Sequence, residues 1–242
     1  ILPDIIVELR QIDDTRFRVR IEDNGPGIPK SEIGKIFAKL LYGSKFHRLK
    51  QSRGQQGIGI SAAGMYAQLT TGEPAHVTSK MASGRAQSMK LFIDTAKNKP
   101  QVESENVDDG EYWKAKPSGT AIELLMTASF KGGRHGIEAY LKQTALANPH
   151  ARILYRGHRT QAKGGDVLEL PRVVHVLPVE PKEIKPHPHG VELGTLQRML
   201  LDAGNEETAH FFATSFSRVT PQIAADICRH AKVSPKARAD KL

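Results

Sequence analysis

Two glycine-containing segments constrain this chain more than any other feature. The first is an acidic turn, Asp23-Asn24-Gly25-Pro26-Gly27, and the second is a glycine-rich stretch, Gly54 to Gly59, that opens a predicted helix. Glycines let a backbone approach a bound group closely, and the free amides at a helix start attract anions. In this order, the two segments predict a nucleotide pocket, with the base at the first and the phosphates at the second.

Asp23 ends an apolar strand, where its carboxylate can accept a hydrogen bond from the exocyclic amine of adenine. Gly25 and Gly27 leave room for the ring. We assign phosphate contacts to eight consecutive residues: Gly54, Gln55, Gln56, Gly57, Ile58, Gly59, Ile60 and Ser61. This run lacks the Gly-Lys-Ser/Thr ending of a P-loop, and no strand leads directly into it as in a dinucleotide fold. Each segment alone also fits an ordinary acidic turn or a glycine hinge.

Hydrophobic periodicity predicts an α+β fold, with a mostly antiparallel sheet and helices on one face. Apolar and polar residues alternate over 4–10 and 16–22, which predicts a β-hairpin. Further strand-like runs are 76–80, 87–94, 120–125 and 153–155, and helical spacing covers 31–41, 58–69 and 136–147. Tyr112 and Trp113 are expected to anchor a loop.

The proline-rich stretch 176–190 (VLPVEPKEIKPHPHG) indicates a domain boundary. The prediction is therefore an ATP-binding domain over 1–175, a linker over 176–190 and a small all-helical domain over 191–242. Its three predicted helices cover 193–203, 206–216 and 221–231, with Thr220 as an N-cap. We interpret His187 and His189 as linker residues rather than metal ligands, because no further ligand has a suitable spacing.

Composition narrows the class of protein and of partner. The apolar and charged fractions, 39% and 25%, are those of a soluble protein, and no apolar run is long enough to cross a membrane. Cys228 is the single cysteine, which fits a reducing compartment. A net charge of +9 favours a polyanionic partner such as nucleic acid. The chain starts with Ile1 rather than Met and has no basic-then-apolar leader, so we expect no secretory signal and interpret the chain as part of a longer protein.

The basic charge is concentrated in two places. The stretch 42–56, between the two glycine segments, is polar and basic, which predicts a flexible lid whose Ser44 and Lys45 reach phosphate oxygens. The C-terminal helices carry a second group of basic residues: Arg229, Lys232, Lys236, Arg238 and Lys241. This group is a candidate for contact with DNA phosphates.

Several motifs together resemble a known ATPase superfamily, that of gyrase, heat-shock chaperones, histidine kinases and mismatch-repair proteins. These are Asp-Asn-Gly-Pro-Gly-Ile-Pro (23–29), Leu-Tyr-Gly-Ser-Lys-Phe (41–46), Arg-Gly-Gln-Gln-Gly-Ile-Gly-Ile-Ser-Ala-Ala (53–63) and Pro-Ser-Gly-Thr (117–120). With Lys-Pro-His-Pro-His-Gly (185–190), the set most closely resembles the B subunits of type IIB DNA topoisomerases VI, over essentially the whole chain. The resemblance implies a Bergerat-type ATPase sandwich followed by a helix-two-turns-helix domain.

The resemblance implies ATP and Mg²⁺ as cofactors. It assigns Asp23 to adenine, Ser44, Lys45 and 54–61 to the phosphates and the lid, and Thr120 to the nucleotide pocket. Ser61 stands where relatives often carry a lysine. The family's water-activating Glu and Mg²⁺-binding Asn are expected upstream of Ile1, and its γ-phosphate lysine beyond Leu242. We therefore expect no catalytic and no metal-binding residue in this chain, weak ATP binding and little hydrolysis.

The function that the resemblance implies is that of the ATPase component of a type II DNA topoisomerase in the cytoplasm, associated with the nucleoid. ATP would drive two B subunits into a homodimer that captures one DNA duplex and passes it through a double-strand break made by the A subunits of an A2B2 heterotetramer. Two alternatives stay open: an ATP-binding dimerisation switch in a degenerate relative, and the catalytic domain of a sensor histidine kinase.

Overall fold

We analysed a computed structural model of the chain, which describes residues 1–43, 54, 56–157, 167–182 and 184–242. These residues form two compact units, the first ending at Val179 and the second extending from Glu180 to Leu242. The division lies within the proline-rich stretch 176–190.

The first unit is built on an eight-stranded sheet. Its strands are β1 (Asp4–Gln11), β2 (Arg16–Asp23), β3 (Ala75–Lys80), β4 (Ala86–Asp94), β5 (Lys99–Asp108), β6 (Gly119–Thr127), β7 (Arg152–Gly157) and β8 (Val167–Leu170). They lie side by side in the order β5-β4-β3-β6-β2-β1-β7-β8. Every neighbouring pair is antiparallel except β1 and β7, which are parallel.

Three α-helices of this unit cover one face of the sheet. They are α1 (Lys30–Phe37), α2 (Gly59–Thr71) and α4 (Ile137–Ala147). From α1, Ile33 and Phe37 pack with the central strands in one apolar cluster, and Leu141 of α4 packs on Val7 in another. Val7 and Ile122 lie on the same face, because both are register partners of Ile21. The predicted α+β class with a mostly antiparallel sheet is confirmed, and these three longer helices lie on one face as predicted.

The short helix α3 (Glu111–Ala115) lies on the opposite face, where Trp113 is buried against Ala86 and Ala121. Tyr112 and Trp113 therefore belong to a helix, and the loop predicted for them is wrong. The strands β5 and β8 were also not predicted, and α1 ends at Phe37 rather than at Leu41. Ala38 caps that helix through its amide, which donates to the Gly34 carbonyl at 2.9 Å.

The second unit contains α5 (Leu193–Ala203), α6 (Thr208–Ser215) and α7 (Pro221–His230). Phe211 and Phe216 lie at the centre of its apolar core, with Ala224 of α7. Thr220 caps α7, as predicted, because its hydroxyl accepts the Ile223 amide at 3.3 Å.

None of the helices in the described part of the chain combines the length and the apolarity needed to cross a bilayer. Within the same residues, no group of three or more His, Cys, Asp or Glu side chains is placed to hold a metal ion.

Candidate nucleotide-binding site

Asp23 is the last residue of β2, and its register partner on β6 is Thr120. One carboxylate oxygen, Oδ1, accepts the amide of Gly25 at 2.7 Å. For the other oxygen, the described residues supply no hydrogen-bond donor, and the side chain is exposed. Asp23 therefore presents a free acceptor at the end of the sheet.

Gly27 holds the acidic turn against the end of β3. Its φ is +79°, and a Cβ built on it would lie 2.1 Å from the carbonyl oxygen of Lys80. The next residue, Ile28, donates its amide to the Ser79 hydroxyl at 2.8 Å. A glycine is required here both by the backbone conformation and by the close approach. The turn is therefore docked on β3 rather than free in solvent.

Thr120 lies on the inner side of this turn and is buried. Its hydroxyl is 2.9 Å from that of Ser79. Gly119, just before it, has φ +151°, and an added Cβ would lie 2.4 Å from the carbonyl oxygen of Asp23. The loop before β6 thus packs directly on the backbone of the proposed base-binding residue. Ser79 and Gly119 were not predicted as site residues, although Gly119 belongs to the Pro-Ser-Gly-Thr motif.

The second segment begins α2. Gly57 has φ +61°, and a Cβ there would lie 2.3 Å from the carbonyl oxygen of Tyr42. The first regular helical bond runs from the Ala62 amide to the Ile58 carbonyl at 2.8 Å. The preceding amides, those of 59–61, have no partner within the helix, and no acidic side chain lies in the first turn. Open space surrounds the position of a Cβ on Gly59. This arrangement suits an anion such as a phosphate.

Tyr42 links this segment to α1. Its hydroxyl donates to Glu32 at 2.5 Å, while its backbone supports Gly57. Hydrogen bonds from Lys35 and then from Tyr42 lower the pKa of the Glu32 carboxyl, because both stabilise its charged form. Tyr42 is the first residue of the stretch 42–56 that was predicted as a lid, so its bond to Glu32 fixes the start of that stretch to α1.

The structure brings the base-binding candidates Asp23, Gly25, Gly27 and Thr120 together at one end of β2, β3 and β6. The second group is found at the start of α2, which packs on β6. There Gly54, Gln56 and Ile58 are exposed, and Ser61 is buried with its hydroxyl donating to the Ile58 carbonyl at 3.3 Å. Ser44, Lys45 and Gln55 lie outside the described residues.

Glu22, which precedes Asp23, was not predicted as a site residue. Alternation along β2 places this side chain on the face without α1 and α2, where a polar residue is normally solvated. The structure instead buries Glu22, with 1% of its surface exposed. No local pattern indicates this, because the covering side chains come from α3 and the loop after it.

Known proteins share sequence with this chain. The family described as "Histidine kinase-, DNA gyrase B-, and HSP90-like ATPase" matches residues 2–97. The B subunit of type 2 DNA topoisomerase 6 from Archaeoglobus fulgidus is 47% identical over 236 residues, which are 97% of this chain and 38% of that protein. The corresponding protein of Methanococcoides burtonii is 45% identical over 244 residues, covering 100% of this chain and 38% of that protein.

Among solved structures, the ATPase and transducer domains of DNA topoisomerase II from Balamuthia mandrillaris align with a TM-score of 0.45 and 16% identity. The alignment covers 63% of this chain and 41% of that one. The chain spans about two fifths of the length of the curated relatives named above. The chain therefore belongs to the family of type 2 DNA topoisomerase 6 B subunits, and its residues 2–97 carry the ATPase domain related to histidine kinases, DNA gyrase B and HSP90.

Proposed function

We propose that this chain binds ATP between Asp23 and the start of α2, as part of the ATPase component of a type IIB DNA topoisomerase. The observation that carries the proposal is the Asp23 carboxylate oxygen that receives no hydrogen bond from the described residues, presented at the end of the sheet beside the docked turn of Gly25 and Gly27. An acceptor of this kind selects adenine, because a base without the amino donor would leave the carboxylate unpaired.

The phosphate half of the site consists of the amides of residues 59–61, which have no partner within α2. Their partial positive charge stabilises the triphosphate, and Ser44 and Lys45 would add a hydroxyl and a cation from the lid. Mg²⁺ is proposed to accompany the nucleotide and to neutralise phosphate charge. The described residues offer no carboxylate cluster for a metal, so no step of the proposed mechanism uses Mg²⁺.

The similarity to topoisomerase 6 B subunits supports a proposal for the wider assembly. We propose that ATP binding brings two such chains into a homodimer, so that the energetic difference between open and closed states comes from contacts to the γ-phosphate. The dimer would capture a DNA duplex and pass it through a break made by the A subunits of an A2B2 assembly, in the cytoplasm near the nucleoid. Identity to B subunits over nearly the whole of this chain favours this function over that of a sensor histidine kinase.

The helical unit is the proposed contact to DNA. Of its C-terminal basic residues, Arg229 pairs with Asp226 and Arg238 with Asp240, both at 2.7 Å. Among the described residues, Lys232, Lys236 and Lys241 have no ion pair. These three ammonium groups are free to meet DNA phosphates, which would make the affinity fall steeply with salt.

Calorimetric titration with ATP and GTP tests the nucleotide proposal. Wild-type protein is expected to bind ATP in preference to GTP, and Asp23→Asn to weaken ATP binding about 100-fold or more. The matched control is Asp14→Asn, which changes an exposed carboxyl in the β1–β2 turn and should bind ATP like the wild type. Circular dichroism reports whether each variant is folded. Retention of full ATP affinity by a folded Asp23→Asn variant would refute the assigned role.

A further inference from the structure

Glu22 carries a carboxylate inside the protein, directly beside the proposed base-binding residue. It is the register partner of Ile6 on β1 and of Ala121 on β6, which places it on the sheet face that α3 covers. Only 1% of its surface is exposed. Burying an ionised carboxylate is costly unless cations and hydrogen-bond donors surround it.

Three side chains supply that compensation. The Tyr112 hydroxyl donates to Oε1 of Glu22 at 2.7 Å, and the ammonium group of Lys116 also contacts Oε1. Arg20 donates to Oε2 from the same strand. The ammonium nitrogen of Lys116 lies 4.7 Å from the ring centroid of Tyr112, which adds a cation–π contact. The carboxylate is thus fully paired, and two of its partners come from the segment between β5 and β6.

That segment is the one that supports Asp23. Lys116 is followed by Pro117, Ser118 and Gly119, and Gly119 packs on the backbone of Asp23. Lys80 holds the same segment from the other side, since its ammonium donates to the carbonyls of Trp113 at 2.7 Å and Lys116 at 2.6 Å. The backbone carbonyl of Lys80 in turn meets Gly27. The Lys116 segment therefore supports both ends of the acidic turn. Gly119 packs on Asp23 at one end, and Lys80, which is bonded to the segment, meets Gly27 at the other.

We propose that Glu22 and Lys116 are positioning residues for the nucleotide site: their buried ion pair holds the 116–119 segment on β2 and so keeps the Asp23 carboxylate and the Gly25–Gly27 turn in the geometry that selects adenine. This inference rests on the proposed ATP function. Neither residue is assigned a contact with the nucleotide.

If the ion pair acted only by stabilising the fold, the double variant would recover base selectivity together with stability. Replacing both partners of a buried ion pair by uncharged residues is often neutral for stability, whereas removing one partner leaves the other unpaired. The double variant Glu22→Gln with Lys116→Met should therefore recover stability relative to the single variants. It should not recover base selectivity, because the tie between the segment and β2 is still absent.

The experiment measures ATP and GTP dissociation constants for Glu22→Gln, Lys116→Met and the double variant. Each single substitution is expected to weaken ATP binding about tenfold and to reduce the preference for ATP over GTP by a similar factor. The double variant is expected to lose no more than the larger single loss. Glu123→Gln is the matched control, because Glu123 lies on the same face and pairs with Arg18, which does not contact Glu22.

Hydrogen exchange of the Ile28 amide, in protein without nucleotide, separates this inference from the ATP proposal. This amide bonds to Ser79 within the docked turn, so it should exchange faster in both single variants, while the Ala67 amide within α2 should not change. If the wild type bound no ATP, the proposed function would fail, yet the exchange rates would still decide the positioning role. Folded variants with an unchanged ratio of ATP to GTP dissociation constants and an unchanged exchange rate of the Ile28 amide would overturn the positioning role. Should Glu22→Gln not fold, Lys116→Met gives the decision, because that side chain is partly exposed.

Discussion

Asp23 and Thr120 lie directly opposite each other on neighbouring antiparallel strands, although most of the ATPase domain separates them in sequence. Thr120 also pairs with Ser79 on β3, so the three strand ends meet at one place. The position of the Asp23 carboxylate is therefore set by the register of the sheet, rather than by the flexibility of a surface loop.

Gly27→Ala is expected to destabilise the first unit by about 2–4 kcal/mol, because the new methyl group meets the Lys80 carbonyl and a positive φ is strained for alanine. Urea denaturation measures the change. Gly84→Ala is the control, since open space surrounds a Cβ at Gly84, and its effect should stay within about 0.5 kcal/mol. Equal stability of the two variants would contradict the docked turn.

Gly57→Ala and Gly59→Ala should separate folding from binding at the start of α2. The first introduces a clash with Tyr42 at a positive φ, so both stability and ATP affinity should fall. The second adds a methyl group in open space at an ordinary φ, so the free energy of unfolding should hold while ATP affinity falls. Denaturation and titration of the same preparations measure both quantities. Wild-type ATP binding by Gly59→Ala would show that phosphates do not approach this turn.

Tyr155→Phe should be tolerated at neutral pH and beneficial at high pH. The Tyr155 hydroxyl is buried and has no hydrogen-bond partner among the described residues, so its removal should change the free energy of unfolding by less than about 1 kcal/mol. Burial, and then the charge of Glu138, raises the pKa of Tyr155 to about 12.

Because this folded-state pKa is above the ordinary value, the stability linked to the phenol is complete below about pH 10 and is lost as pH rises towards about 12. Phenylalanine removes that loss. Denaturation at several alkaline pH values should therefore show the variant gaining on the wild type as pH rises. A constant difference across this window would argue against a buried phenol.

Phe211→Ala should destabilise the helical unit by about 3–5 kcal/mol, because a fully buried aromatic side chain leaves a cavity between Phe212 and Phe216. Trp113, the single tryptophan, reports only on the first unit. Thermal unfolding by circular dichroism should shift, while the tryptophan fluorescence transition should not. Leu201→Ala, at a position that is 66% exposed, is the control. A common shift of both signals would contradict the expectation that this substitution affects the helical unit alone.

Much of the fold could be predicted from local patterns in the sequence. Alternation of apolar and polar side chains located β1 and β2, and the start of α7 at Pro221 follows from the Thr220 cap. The strand β5 was missed because its residues are polar on both faces, as suits a strand at the edge of a sheet. Only its pairing with β4 makes it a strand.

The glycine segments, the acidic residue that ends β2 and the helix that follows the second segment could be located from sequence, because short-range backbone preferences encode them. The tertiary structure alone decided that Thr120 faces Asp23, that Gly27 meets Lys80 and that Glu22 is buried beneath Lys116 and Tyr112. Such contacts join residues far apart in the chain. Neither the periodicity of hydrophobic residues nor the presence of turn-forming residues indicates which distant backbone segment will approach a given residue.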